Sequence, residues 1–190
     1  MFYAPDILNT FFTEHQAITG TFILNTINFV ATFITMYTVD KYGRVKLLLV
    51  GGCIMLVALV TNGILSSIDD QTKTIGWFVL TFSAIYIIGF AFSWGPVVWS
   101  VCAEIFPYRT RSKSTGITTM TNWIATTIVG ALFPLASTAS LSTCFFFFAF
   151  AITIGMIIVY LFQIETASKT SHQIDQAYAT HKPKLIRTVW

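Results

Sequence analysis

The chain divides into long runs without Asp, Glu, Lys, Arg or His, separated by short charged stretches. Gln16–Val39 is 24 residues, Leu47–Ile68 is 22, Thr74–Ala103 is 30 and Ser114–Ile164 is 51. A helix crosses a hydrocarbon core of about 30 Å with about 20 residues. The first three runs therefore suit one crossing each. The fourth fits two, folded back at the small polar stretch Ser137-Thr138-Ala139-Ser140-Leu141-Ser142. The pattern predicts five spanning helices near 17–39, 47–67, 76–103, 115–136 and 143–163, hence an all-α membrane protein. Apolar residues ring every one of these segments, so no helical period marks a buried face, and the polar exceptions carry that information instead.

Composition agrees and narrows the class. Of 190 residues, 55% are hydrophobic and only 10% charged, against roughly 25% charged in soluble domains. Disorder and a secreted disulfide framework are excluded by the same figures. Lys and Arg are distributed with a strong bias. Lys41, Arg44 and Lys46 lie between the first two spans, Arg109, Arg111 and Lys113 between the third and fourth, and Lys169, Lys182, Lys184 and Arg187 in the tail. Lys73 alone falls in the opposite loops, offset by Asp69 and Asp70. Both basic linkers and the C-terminus are thus expected in the cytoplasm and the N-terminus outside. Membrane topology accounts for the net charge of +3, and no nucleic-acid partner is implied.

The start, Met1-Phe2-Tyr3-Ala4-Pro5, has no basic leader and does not read as a signal peptide. Cys53, Cys102 and Cys144 fall inside spans and read as small apolar packing residues. His15, His172 and His181 are too scattered for a metal site. No cofactor, metal or enzymatic activity is expected.

Three blocks carry chemistry. Val39-Asp40-Lys41-Tyr42-Gly43-Arg44 is a tight turn in which Gly43 permits an unusual backbone, and Asp40 and Arg44 could pair across the turn or with neighbouring helices; a generic positive loop fits equally. In Trp94-Gly95-Pro96-Val97-Val98-Trp99, Pro96 removes a backbone donor inside a span, a break tolerated where the helix faces protein or water. Trp99 follows one turn later, and its ring suits either a sugar's C–H surface or ordinary packing. Glu104, at the end of that span, needs a partner, with Arg44, Arg109 and Arg111 available. The third block is amides within the hydrocarbon. Asn25 reads as interhelical glue, while Asn28 and Asn122 are candidates for contact with a polar, uncharged solute. The hydroxyls of Thr118, Thr119, Thr121, Thr126 and Thr127 can bond their own helix backbone and discriminate little.

In this order and spacing, Phe2-Tyr3-Ala4-Pro5, Asp40-Lys41-Tyr42-Gly43-Arg44, Trp94-Gly95-Pro96-Val97-Val98-Trp99, Glu104-Ile105-Phe106-Pro107 with Arg109 and Arg111, Asn122-Trp123 and Glu165-Thr166-Ala167-Ser168-Lys169-Thr170 resemble the sugar porter family of the major facilitator superfamily, most of all hexose transporters of fungi and other microbial eukaryotes. The resemblance runs from Phe2 to about Asp175. It implies the C-terminal six-helix half of a major facilitator fold, with five full spans and a stub of the preceding helix. On this reading residues 1–14 are the outer end of a truncated helix, 15–167 the five-span bundle and 168–190 a cytoplasmic tail, its part from Ser171 onward polar and disordered. Substrate contact is implied for Asn28, Trp99, Asn122 and Trp123, an outer gate for Tyr3, a helix break for Gly95 and Pro96, and a gating charge network for Asp40, Arg44, Glu104, Arg109, Arg111 and Glu165.

The implied function is transport of a hexose-like sugar, with or without a proton, by alternating access across a lipid bilayer, in the plasma membrane and in partnership with a missing N-terminal half. The alternative is a partial transporter without transport of its own, acting as a membrane-embedded interaction partner. Departures from the family pattern are Lys41 for the commoner Arg, Val45 at a commonly basic position, Ala91 where some relatives carry a carboxylate, and Ile164 and Ser168 in the last signature.

Overall fold

The structure, a computed structural model, describes residues 4–68, 72–107, 109–167, 169 and 171–180; within the helices, the side chains of Met36, Asp40, Ala139, Ser171, His172, Asp175, Ala179 and Thr180 are also outside the description. Those residues form α1 (Ala4–Asn9), α2 (Glu14–Tyr42), α3 (Arg44–Ser66), α4 (Lys73–Phe92), α5 (Pro96–Ile105), α6 (Arg111–Ala139), α7 (Leu141–Phe162) and α8 (Ser171–Thr180). Five segments are long and apolar enough to span a bilayer: 14–35, 44–66, 73–105, 111–138 and 141–162. They are the five that the uncharged runs predict.

The helices extend further into the charged linkers than hydrophobicity alone indicates. Only Gly43, at φ 86°, separates α2 from α3. A side chain with a β-carbon is strained in that region. Ser140 alone separates α6 from α7, and its Oγ accepts a hydrogen bond from the Thr143 amide at 3.3 Å, an N-cap that satisfies one orphan donor of α7. The polar fold-back predicted over six residues is thus a one-residue joint.

Helix α3 is the centre of the bundle, packing on α4 along one side and α7 along the other. Hydrophobic driving force is weak between helices in lipid, so close backbone approach and van der Waals contact decide such interfaces. Gly51 and Gly52 provide that approach: a β-carbon on Gly51 would collide with Ser93, and one on Gly52 would lie 2.7 Å from Met156 Cγ. Leu47 and Leu48 pack against Val97 and Val101 of α5, and Leu59 against Phe145 and Ala149 of α7. Leu24 of α2 joins Leu8, Ala17 and Ile87 in a third cluster. Near its other end α3 is held by polar bonds, Asn62 Nδ2 to Ser83 Oγ at 3.2 Å and the Ser142 hydroxyl to the Gly63 carbonyl at 2.8 Å.

Helix α6 contrasts with α3. Half of the α3 span is buried and none of the α6 span is, although α6 touches α5 and α7 at its edges.

Two expectations need correction. Asn25 is exposed on α2 and does not serve as glue within the described bundle; the buried interhelical amide is Asn62. Residues 171–180, expected to be disordered, form α8, which docks on α5 and buries Ile174. Burial pushes the Tyr178 phenol up from its ordinary value, opposed by the adjacent Ile164 backbone and Gln163 side chain.

Candidate substrate path and charge cluster

The span from Lys73 to Ile105 breaks where Gly95-Pro96 predicts. Pro96 has no amide hydrogen to donate. The Gly95 amide reaches back five residues to the Phe90 carbonyl at 2.8 Å, so the Ala91 carbonyl loses its usual helical donor. Thr35 of α2 replaces it: its hydroxyl lies 2.8 Å from the Ala91 carbonyl, as well as 3.0 Å from the carbonyl of Ala31 on its own helix. Thr35 is buried, and sequence reading missed it because a threonine one turn from an ordinary helix backbone carries no local signal.

At the end of the bundle where α3 begins, three segments converge. Arg44 Nη2 donates to Glu104 Oε1 at 2.9 Å, tying the start of α3 to the end of α5. Glu165, which follows α7, accepts from the backbone amides of Arg44 at 2.8 Å, Val45 at 3.1 Å and Ala167 at 3.2 Å. A carboxylate at a helix N-terminus is favoured by the orphan amides and by the helix dipole. Gly43 makes room for it, since a β-carbon there would lie 2.6 Å from Glu165 Oε2. Glu104 Oε2 is buried and bonds to no other described residue.

The remaining charged candidates divide. Of the cations available to Glu104, Arg44 is the one bonded to it; Arg109 is exposed, and Arg111 Nε donates to the Phe106 carbonyl at 3.3 Å. The Asp40 side chain and Tyr3 lie outside the described residues. Lys41 Nζ stands 5.8 Å from the Tyr42 ring centroid, an exposed cation–π contact of small worth.

The polar candidates lie deeper. Counting about 1.5 Å per residue from the nearest helix end in the charge cluster, Trp99 is about 9 Å in, Asn122 about 16 Å and Asn28 about 21 Å. Asn28 is half-buried on α2, whereas Trp99, Asn122 and Trp123 are exposed. Neighbouring hydroxyls are spent on their own helices, Thr32 on the Asn28 carbonyl, Thr126 on that of Asn122 and Thr127 on that of Trp123. Among the described residues no bond links the side-chain amides of Asn28 and Asn122 to each other or to Trp99. Arg111, Thr115, Thr119 and Trp123 line an open groove along α6. An uncovered face of this kind, with amide and indole groups at mid-depth, can hydrogen-bond and stack on a hydroxyl-rich solute.

The family model "Sugar (and other) transporter" matches residues 1–178. Sugar transport protein 1 of Arabidopsis thaliana is 35% identical over 190 residues, a match covering 95% of this chain and 36% of that protein. A crystal structure of a double-tryptophan mutant of XylE, the xylose transporter of E. coli, superposes with a TM-score of 0.83 at 27% identity, covering 93% of this chain and 38% of that one. XylE described as a major facilitator proton:xylose symporter bound to 6-bromo-6-deoxy-D-glucose superposes at 0.81 with 26% identity. The chain spans little more than a third of the length of these relatives. A sequence match along nearly the whole chain, together with a superposition that holds through the five spans, makes this multi-pass membrane protein a member of the sugar transporter family of the major facilitator superfamily.

Proposed function

We propose that the chain forms the C-terminal half of a sugar porter and moves a hexose-like sugar by alternating access, paired with an N-terminal half. The observation that carries this reading is the uncovered Asn122–Trp123 pair on α6, a helix with no buried residue in its span. An amide turned to acyl chains lacks the hydrogen bonds it had in water. Such a face calls for a water-filled cavity or a second set of helices.

In this proposal Asn28 and Asn122 hydrogen-bond the hydroxyls and Trp99 and Trp123 wall the cavity. The Arg44–Glu104 pair and the Glu165 cap hold the basic end shut in one state, and opening separates α5 from α3. Arg109, Arg111 and Asp40 belong to the same gate and Tyr3 to the opposite one. The basic linkers support a cytoplasmic gate and C-terminus, and on this reading the plasma membrane is the site of action. A symported proton remains compatible with this chain, whose pairing with XylE is with a proton:xylose symporter.

The test is sugar uptake by transporter-deficient cells expressing the chain joined to the N-terminal half of a sugar transporter. Trp99→Ala should raise KM or lower uptake about tenfold, equivalent to about 1.4 kcal/mol, at equal protein in the membrane. Unchanged uptake removes Trp99 from the path. Saturable flux in proteoliposomes of the chain by itself would dispense with the second half.

A further inference from the structure

We infer that Trp94 is a positioning residue, whose clamped indole sets the rotation of α5 and so decides which way Trp99 faces. The indole Nε1 donates to the Leu48 carbonyl of α3 at 2.9 Å. Its ring occupies a slot whose walls are glycines of two different helices. A β-carbon at Gly52 of α3 would stand 3.2 Å from Nε1, and one at Gly155 of α7 would stand 2.8 Å from Cη2. The preceding residue, Ser93, is seated against Gly51 just as closely and donates to the Gly89 carbonyl at 2.7 Å. Both residues ahead of the Gly95-Pro96 break are therefore pressed on glycines, a fit that specifies shape more than strength.

The slot acts on α5 through one stripe. Val97 and Val101 are buried against Leu47 and Leu48, and Glu104 continues the same face to Arg44. With about 100° per residue, Trp99 lies roughly 160° round from both Val97 and Val101, on the face turned away from α3. Trp94 sits with Ser93 before the break, where Pro96 has no amide hydrogen to donate to the preceding turn, and of the two it is the one that bonds a different helix. Without the indole, α5 is held at its start by the Val97 amide on the Ser93 carbonyl and can turn about its axis.

The test reads rotation by thiol labelling in membranes of cells expressing the full transporter, with Cys53, Cys102 and Cys144 replaced by alanine. In the parent, a Trp99→Cys thiol should label at least tenfold faster than a Val97→Cys thiol. Gly155→Ala and Trp94→Ala should each reduce that ratio at least threefold without changing the amount of protein. Adding Trp94→Phe to Gly155→Ala removes the atom that clashes but also the Nε1 bond to Leu48, so it should restore accumulation and leave the ratio low. An unchanged ratio in Gly155→Ala and Trp94→Ala overturns the inference. If Gly155→Ala does not accumulate, the ratio is read in Trp94→Phe alone, and an unchanged ratio there overturns the inference as well. Labelling needs no sugar flux, so this result and that of the transport experiment are independent.

Discussion

Gly43 shows how much one position can be asked to do. It carries φ 86°, it joins two long helices, and it leaves space for the Glu165 carboxylate that caps α3. Gly43→Ala adds the strain of a backbone region, φ 86° and ψ 155°, that is essentially glycine's own, about 1–3 kcal/mol, and displaces the carboxylate. At about 2–4 °C per kcal/mol for a chain of this size, a thermal melt in detergent should fall by several degrees. Glu165→Ala leaves the amides of Arg44 and Val45 uncapped and should cost about 1–2 kcal/mol, read in the same assay. Because both variants disrupt one contact, the double variant should be less destabilised than the sum of the two. The glycine and the acid are separately visible in the sequence, in blocks more than a hundred residues apart. That they form one contact is not visible, since nothing local to either specifies the other.

At the scale of the helix, the break in the third span was legible and its remedy was not. Proline announces the missing donor by its chemistry. The acceptor left over, the Ala91 carbonyl, is satisfied from a different helix by Thr35. Thr35→Val keeps the shape and removes the hydroxyl, so a buried carbonyl goes unbonded at about 1–3 kcal/mol. The expected result is a lowered melting temperature, whereas Thr38→Val, whose hydroxyl bonds only its own helix, should change it little. Helix α8 was missed for the opposite reason: its average polarity hides the buried Ile174. Ile174→Asp should undock α8 and expose the chain after Glu165 to limited proteolysis, with a burial loss of about 1.5–3 kcal/mol. The five spans were legible throughout, because a bilayer imposes a length on apolar runs that no interior packing can disguise.

For the molecule as a whole, burial is lopsided. Helix α3 lies among its neighbours while α6 stands at the margin with none of its span covered. Sequence could name Asn122 and Trp123 as polar exceptions but not say that they lie exposed on α6, because that depends on how α6 packs. If that side meets an N-terminal half, co-expression of such a half should raise the yield of monodisperse chain severalfold and protect an Asn122→Cys thiol from membrane-impermeant reagents when sugar is present. Equal yield and equal labelling in its absence would assign the side to lipid.

The joint at Gly43 has a consequence for how this protein can vary. Connections between helices usually absorb insertions and deletions without harm. Here a single extra residue would turn all of α3 by about 100°, carrying Gly51 and Gly52 out from under Ser93 and Trp94, and Arg44 away from Glu104. The joint is thus expected to accept changes of identity far more readily than changes of length, and a one-residue insertion after Gly43 should abolish accumulation where Lys41→Arg does not.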